Sequence, residues 1–305
     1  MSVRSSLSKR LRRNRYFWRH VLNRSAVRSF KSAPPQLSSE QIRIVEELRR
    51  NGVAVSKDSS LFGAETRFSE LLEQVNADLK LPEVSTEADS VGADKPYMRF
   101  VLGLEPELRF DSSYALYAAG GHLSAIAETY FQMRTELRYY NVWQNRASER
   151  QAEASQLWHR DREDKMILKV FVYLSDVSEE NGPFVYAPGT HLLGRVKRNP
   201  EFSLDGGVAR TTDTQMDAIV SRKDWVSCCG PAGTIVLADT HGYHRGGLVR
   251  AGQRLLYTCM FTSPSCPRRY FKVSEKSGPC SQQQRRIFGA SFGIGSKNEN
   301  SSLRG

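Results

Sequence analysis

Trp158-His159-Arg160-Asp161, read with Asp239-Thr240-His241-Gly242-Tyr243-His244 and Arg254, decides how this chain folds. In a strand, residues i and i+2 point to the same side, so His159 and Asp161 present an imidazole and a carboxylate to one point in space. A third ligand must then come from a neighbouring strand, however distant in sequence, and His244 is placed to supply it. Two histidines and one carboxylate are the ligand set of a non-haem Fe(II) centre, with positions left open for other molecules. Ten residues beyond His244, Arg254 offers a planar guanidinium that can hold a carboxylate by two hydrogen bonds. His-x-Asp alone is a weak signal in a chain with six histidines; the strand pattern, distal histidine and arginine give it weight.

The surrounding sequence reads as short strands. Leu137 to Trp143, Met166 to Leu174, Phe184 to Ala187, Thr234 to Asp239 and Arg254 to Thr262 are rich in β-branched and aromatic residues. Turn signals separate them at Asn181-Gly182-Pro183, Pro188-Gly189 and Gly230-Pro231-Ala232-Gly233. This pattern predicts a mainly β (α+β) domain over residues 40–273, with a jelly-roll core at 136–263 and a helical cap at 40–135. Within the cap, Ser38 and Gln41 form a capping box, Ile44, Val45 and Leu48 make the apolar stripe, and Gly52 stops the helix. A short strand is expected near Val53 to Val55. Phe68, Leu71, Leu72, Val75 and Leu79 recur at helical spacing, as do Leu116, Leu123, Ile126 and Phe131 more loosely.

The chain has 305 residues, 39% hydrophobic and 25% charged, which suits one soluble catalytic domain with polar appendages. No apolar run approaches the ~18 residues needed to span a membrane as a helix. The five cysteines lack zinc-site spacing, which points to free thiols and a reducing compartment. Of the net charge of +11, residues 1–39 supply +10, because they hold ten Lys or Arg and no acid. They read as a basic arm, flexible or helical, closed by the Ala33-Pro34-Pro35 linker. Its composition fits a contact with nucleic acid or an anionic membrane, a solubilising extension, or a mitochondrial transit peptide over residues 1–36. Without a transit peptide the expected location is cytoplasmic. Residues 274–305 are poor in apolar side chains and read as a mobile tail.

Several separated blocks carry a resemblance to a known family. Trp158-His159-Arg160-Asp161 is followed by Lys169-Val170-Phe171-Val172-Tyr173-Leu174-Ser175-Asp176-Val177, Glu180-Asn181-Gly182-Pro183 and Pro188-Gly189-Thr190-His191. Gly233-Thr234-Ile235-Val236-Leu237-Ala238-Asp239 then runs into His244 and Arg254. In this order, over roughly residues 135 to 263, the chain resembles the phytanoyl-CoA dioxygenase family. The resemblance implies a double-stranded β-helix, Fe(II), and 2-oxoglutarate as co-substrate. It also implies an oxygenase that uses O2 to hydroxylate a small-molecule or acyl substrate, releasing succinate and CO2. Carried over, His159, Asp161 and His244 are the iron ligands and Arg254 holds the distal carboxylate of 2-oxoglutarate. Asn141 is either a further co-substrate contact or a pin for a strand end. Relatives that halogenate replace the ligand carboxylate by a small residue, so Asp161 counts against that chemistry.

His241 competes with His244 for the distal position, and its longer spacing to Arg254 counts against it. Lys169 shares the face of Phe171 and Tyr173 by alternation, so it meets either the site or, at a sheet edge, solvent. Trp158 is expected to pack beside the site, and His20, His122 and His191 to be structural. Two other readings stand beside the oxygenase: a cupin-like metalloenzyme that uses no 2-oxoglutarate, and a catalytically silent RNA- or membrane-binding protein recruited by the arm. Arg254 counts against the first and the full ligand set against the second. The loops from Gly194 to Asp224, with Arg195, Lys197, Arg198, Arg210, Arg222 and Lys223, contain no motif that names a substrate.

Overall fold

The computed structural model describes residues 14–80, 97–205, 207–267, 271–274 and 276–289. Its strands in chain order are β1 (Val53–Lys57), β2 (Met98–Phe100), β3 (Glu107–Leu108), β4 (Glu136–Arg146), β5 (Leu168–Tyr173), β6 (Phe184–Tyr186) and β7 (Ser203–Asp205). They continue with β8 (Val208–Arg210), β9 (Val226–Cys228), β10 (Thr234–Asp239), β11 (His244–Gly246), β12 (Gln253–Thr262) and β13 (Lys272–Val273). A six-stranded antiparallel sheet runs β1-β10-β5-β12-β4-β2, and a three-stranded sheet runs β11-β6-β9. The five strand stretches expected from the sequence are β4, β5, β6, β10 and β12, with shifts of up to three residues at the ends.

The period-two alternation of these strands sorts side chains onto two faces. Leu168, Val170 and Val172 of β5, with Leu255, Tyr257, Cys259 and Phe261 of β12, join the large apolar cluster beneath the helices. Phe171 and Tyr173 point the other way and meet Phe184 and Tyr186 of the smaller sheet. The second face therefore lines the space between the two sheets.

Of the helices that cover the outer face, the first begins where the sequence places it. Helix Ser39–Asn51 carries the capping box: the Ser38 side chain accepts from Gln41 N, and the Gln41 side chain accepts from Ser38 N. It ends at Gly52 with φ +86°, where a Cβ would collide with Tyr186 and His191. Ile44, Val45 and Leu48 are buried as the stripe requires. Helices Phe68–Asp78, Ser113–Ala118 and Gly121–Phe131 complete the cover.

Two appendages expected from composition are part of the fold over their described residues. Residues 15–32 form short helical segments ending in helix Arg24–Ser32, with Ala26, Val27 and Phe30 buried. Trp18 is 3% exposed, and its Nε1 donates to Asp164 Oδ1 at 2.7 Å and to Ser263 Oγ at 3.2 Å. Arg19 donates to the Phe131 and Gln132 carbonyls, so basic residues here serve as local anchors. Apolar residues every fourth position, Trp18, Leu22, Ala26 and Phe30, turn one face of an Arg-rich stretch into core. Cleavage near residue 36 would strip that face from the domain. The remainder of the expected arm, residues 1–13, lies outside the described residues.

At the other end, β13 pairs in parallel with β3, and helix Gln282–Phe288 buries Gln284, Ile287 and Phe288. Gln284 Nε2 donates to the Phe110 carbonyl at 2.6 Å. The mobile tail expected from residue 274 is thus docked through Gly289; residues 290–305 lie outside the described residues.

Candidate metal and co-substrate site

His159 and Asp161 lie on an extended segment beside β11. An antiparallel bridge joins His159 to His244, the first residue of β11. His159 N donates to His244 O at 3.0 Å, His244 N returns a bond at 3.1 Å, and Asp161 N donates to Thr240 O at 2.9 Å. The same-side rule for i and i+2 then brings the three side chains together: their ligand atoms lie within 4.8 Å of one another. His159 Nε2 is 4.0 Å from Asp161 Oδ1, and His244 Nε2 is 3.8 Å from Asp161 Oδ2.

The backbone fixes which imidazole nitrogens face inward. His159 Nδ1 is 2.9 Å from the Leu157 carbonyl, and His244 Nδ1 is 3.0 Å from the Gly242 carbonyl. A carbonyl only accepts, so each Nδ1 carries the proton and each Nε2 turns a lone pair toward Asp161. Burial, reinforced by His244, pushes the His159 pKa well below its usual value and keeps that lone pair available. For Asp161, burial works against ionisation, but Lys169 beside it holds the carboxyl well below the usual range. Lys169 Nζ stands 2.6 Å from Asp161 Oδ2. Two neutral imidazoles and one carboxylate, preset by second partners, fit a divalent iron.

Arg254, near the start of β12, lies opposite Asn145 of β4 and on the inner face. Its Nη2 donates to Asn145 Oδ1 at 3.3 Å, and Asn145 Nδ2 in turn donates to the Tyr97 carbonyl at 3.2 Å. The guanidinium is 5% exposed, its Nε has no hydrogen-bond partner, and no carboxylate among the described residues pairs with it. A charge kept out of water without a counter-ion is costly, which marks a place for an incoming anion.

The other sequence expectations sort as follows. Asn141 shares the inner face but is taken up in pinning backbone: its Nδ2 donates to Gly103 O at 2.8 Å, and its Oδ1 accepts from Val142 N and Leu102 N. The asparagine beside the arginine is Asn145, two inner-face positions along the same strand. Lys169 is on a central strand, between β10 and β12, so the solvent-edge alternative is overturned. His241 is outside the close group; its backbone N donates to Asp239 Oδ1 at 3.1 Å. Trp158 is fully buried beside the site, its Nε1 donating to Asp213 Oδ1 at 2.7 Å and its ring meeting Trp225 at 4.7 Å. His191 is buried over Arg49 O, His122 contacts Glu65 at 2.9 Å, and the His20 ring packs tilted against Tyr16. All three are remote from the ligand group.

One supporting residue was passed over in the sequence. Asp239, fully buried, accepts from Tyr130 Oη at 2.7 Å and from His241 N, and so steadies the turn that leads to His244. Burial raises its pKa to about 6. A carboxylate ending an apolar strand one turn before a ligand is the signal that would have found it.

No curated protein matches the chain. Among solved structures, the epimerase SnoN of nogalamycin biosynthesis, described in complex with Fe3+, alpha ketoglutarate and nogalamycin RO, is 18% identical with TM-score 0.53. That match covers 74% of this chain and 84% of SnoN. EctD from S. alaskensis, described with 2-oxoglutarate and 5-hydroxyectoine, is 18% identical with TM-score 0.52, covering 81% of this chain and 85% of EctD. AviO1 from Streptomyces viridochromogenes Tue57 is 17% identical with TM-score 0.52, covering 77% of this chain and all of AviO1 (100%). At these identities the likeness is one of fold, and it supports the jelly roll. The sequence profile of phytanoyl-CoA dioxygenase (PhyH) matches residues 108–254, the span that carries all three clustered side chains and Arg254. Residues 108–254 thus match the phytanoyl-CoA dioxygenase family, and His159, Asp161 and His244 cluster within that match.

Proposed function

We propose that the protein hydroxylates a small-molecule or acyl substrate, with His159, Asp161 and His244 as its iron ligands and Arg254 as the anchor for the distal carboxylate of 2-oxoglutarate. One observation carries the proposal: two imidazoles with preset tautomers face one carboxylate, and a buried guanidinium without an acid partner among the described residues stands on the other sheet, on the face that lines the space between the two. When bound, iron and 2-oxoglutarate supply the activation of O2, coupled to the conversion of 2-oxoglutarate to succinate and CO2. The chain's own residues prepare for that. Lys169 keeps Asp161 in its anionic, ligating form. The carbonyls of Leu157 and Gly242 hold the histidine rings in orientation. Asn145 steadies Arg254 by accepting a hydrogen bond from its Nη2. Phe171 and Phe184, 4.8 Å apart, wall the space between the sheets, and Phe184 stacks on His244 at 5.4 Å. These rings give the space beside His244 an apolar wall. A cupin-like enzyme that used no 2-oxoglutarate would leave Arg254 with no anion to meet.

Anaerobic Fe(II) binding by equilibrium dialysis, followed by succinate formation, tests the ligand set. His159→Ala, Asp161→Ala and His244→Ala should each abolish stoichiometric iron uptake and succinate release, while His241→Ala retains both. Loss of iron in His241→Ala with retention in His244→Ala would reverse the assignment of the distal ligand.

A further inference from the structure

Across the ladder from His159 lies a second buried arginine for which the iron and 2-oxoglutarate assignments provide no task. Trp158 and Thr211 form an antiparallel bridge closed by two backbone bonds of 3.0 Å each. In that register the next opposed pair is His159 and Arg210, the last residue of β8, and directly opposed residues share a face. Since His159 also bridges His244 on its other side, Arg210, His159 and His244 form one row across three adjacent backbones. Arg210 is 8% exposed, and its Nε and Nη1 are buried without a hydrogen-bond partner. It forms no ion pair with any described residue. Burial lowers the Arg210 pKa, with Asp205, Tyr97 and Asp161 acting against that, and its charge adds to the effect of burial and His244 in lowering the His159 pKa.

Neighbouring arginines are already committed. Arg245 reaches Asp213 at 3.4 Å and lies over the Trp158 ring. Arg160 donates to Thr190 O at 2.7 Å and lies 4.1 Å over the Tyr243 ring. Arg210 has neither kind of partner. A buried cation kept without compensation destabilises the free protein, and such a cost persists where a ligand offsets it.

We propose that Arg210 anchors an oxyanion of the primary substrate, so that the enzyme oxidises a small molecule bearing a carboxylate or a phosphate. This rests on the oxygenase reading above. 2-Oxoglutarate does not fill the role, because its keto-acid end goes to the metal and its far carboxylate to Arg254. Asp161 does not fill it either, because Lys169 is its partner. The planar fork of Arg210 suits either oxyanion by paired hydrogen bonds. Its place in the row of ligand histidines puts the oxidised carbon within a few bonds of that acid group.

The test uses the full chain loaded with Mn(II) and saturated with 2-oxoglutarate under argon. Butyrate and inorganic phosphate are titrated separately, and binding near the metal is read from the paramagnetic relaxation of their proton and phosphorus signals. The wild type should bind at least one of them beside the metal. Arg210→Gln should weaken that binding about tenfold or more, Arg210→Lys by less, and neither should change the affinity for 2-oxoglutarate. Arg254→Lys should show the reverse pattern. Arg210→Met should melt no lower than wild type, because it removes an uncompensated charge at similar volume. The proposal is overturned if the wild type takes up neither anion or if Arg210→Gln binds as wild type does. It is equally overturned if Arg210→Gln loses 2-oxoglutarate instead, or if Arg210→Met melts well below wild type. Failure of the wild type to bind Mn(II) or 2-oxoglutarate would strike the oxygenase reading itself.

Discussion

The two faces of the six-stranded sheet come from the same strands, one residue out of step. Leu255, Tyr257, Cys259 and Phe261 of β12 build the outer apolar cluster under the helices. Arg254 and Thr258, one residue out of step with them, stand buried on the inner face, and both hold polar atoms without partners. β5 repeats the contrast, with Leu168, Val170 and Val172 outward and Lys169 inward toward Asp161. The outer face thus supplies stability, and the inner face spends some of it on a site. A register slip of one residue would exchange the two, so the apolar face also fixes where the chemistry stands.

The largest effect is expected from removing part of the outer cover. Deleting residues 1–32 takes away Trp18, Ala26, Val27 and Phe30, all buried. Each large apolar side chain contributes about 1.5–3 kcal/mol by burial, against a net domain stability of ~5–15 kcal/mol. The truncated protein should lose its cooperative melting transition or its solubility; a circular dichroism melt matching full length would show that the segment is dispensable. Phe261→Ala, within the same cluster, should cost about 3–5 kcal/mol and lower the midpoint of denaturant unfolding, without changing the spacing of His159, Asp161 and His244. An unchanged midpoint would mean that the outer face does not carry the stability assigned to it.

A smaller effect concerns a histidine away from the ligand group. Burial lowers the His191 pKa from 6.5 to about 4. The unfolded chain therefore takes up this proton first, and the native state loses stability as pH falls from about 6.5 toward 4. Above 6.5 both states are neutral at this ring and its contribution is flat. His191→Gln should reduce the slope of stability against pH in that window; an unaltered slope would place the titration elsewhere.

Alternation and turn chemistry made the strands legible in the sequence, because a half-apolar strand writes its period directly into residue order. His159, Asp161 and His244 were legible for the same reason, since i and i+2 on a strand must share a side. Less visible were partners supplied by other strands. Asn141 and Asn145 have the same residue type and inner-face position, and only the pairing of Asn145 with Arg254 in the β4–β12 register separates them. Lys169 stood out as a cation in an apolar strand, but its partner Asp161 comes from a segment that only the fold brings near. The basic arm concealed its buried face because arginines outnumber the apolar residues set every fourth position. Arg210 looked like one more charge in a polar loop until the Trp158–Thr211 bridge placed it opposite His159.

The inner face is tested most directly by calorimetric titration of the anaerobic, Fe(II)-loaded protein with 2-oxoglutarate, wild type beside Arg254→Lys. Lysine keeps the charge but loses the two-pronged geometry. The loss of a charge-assisted bond pair, about 2–3 kcal/mol, should weaken 2-oxoglutarate binding roughly 30- to 150-fold. Iron affinity should stay within about twofold of wild type, because Arg254 is not among the three clustered ligands. Equal affinities for 2-oxoglutarate in the two proteins would contradict the role of Arg254, and no binding to the wild type would contradict the account as a whole.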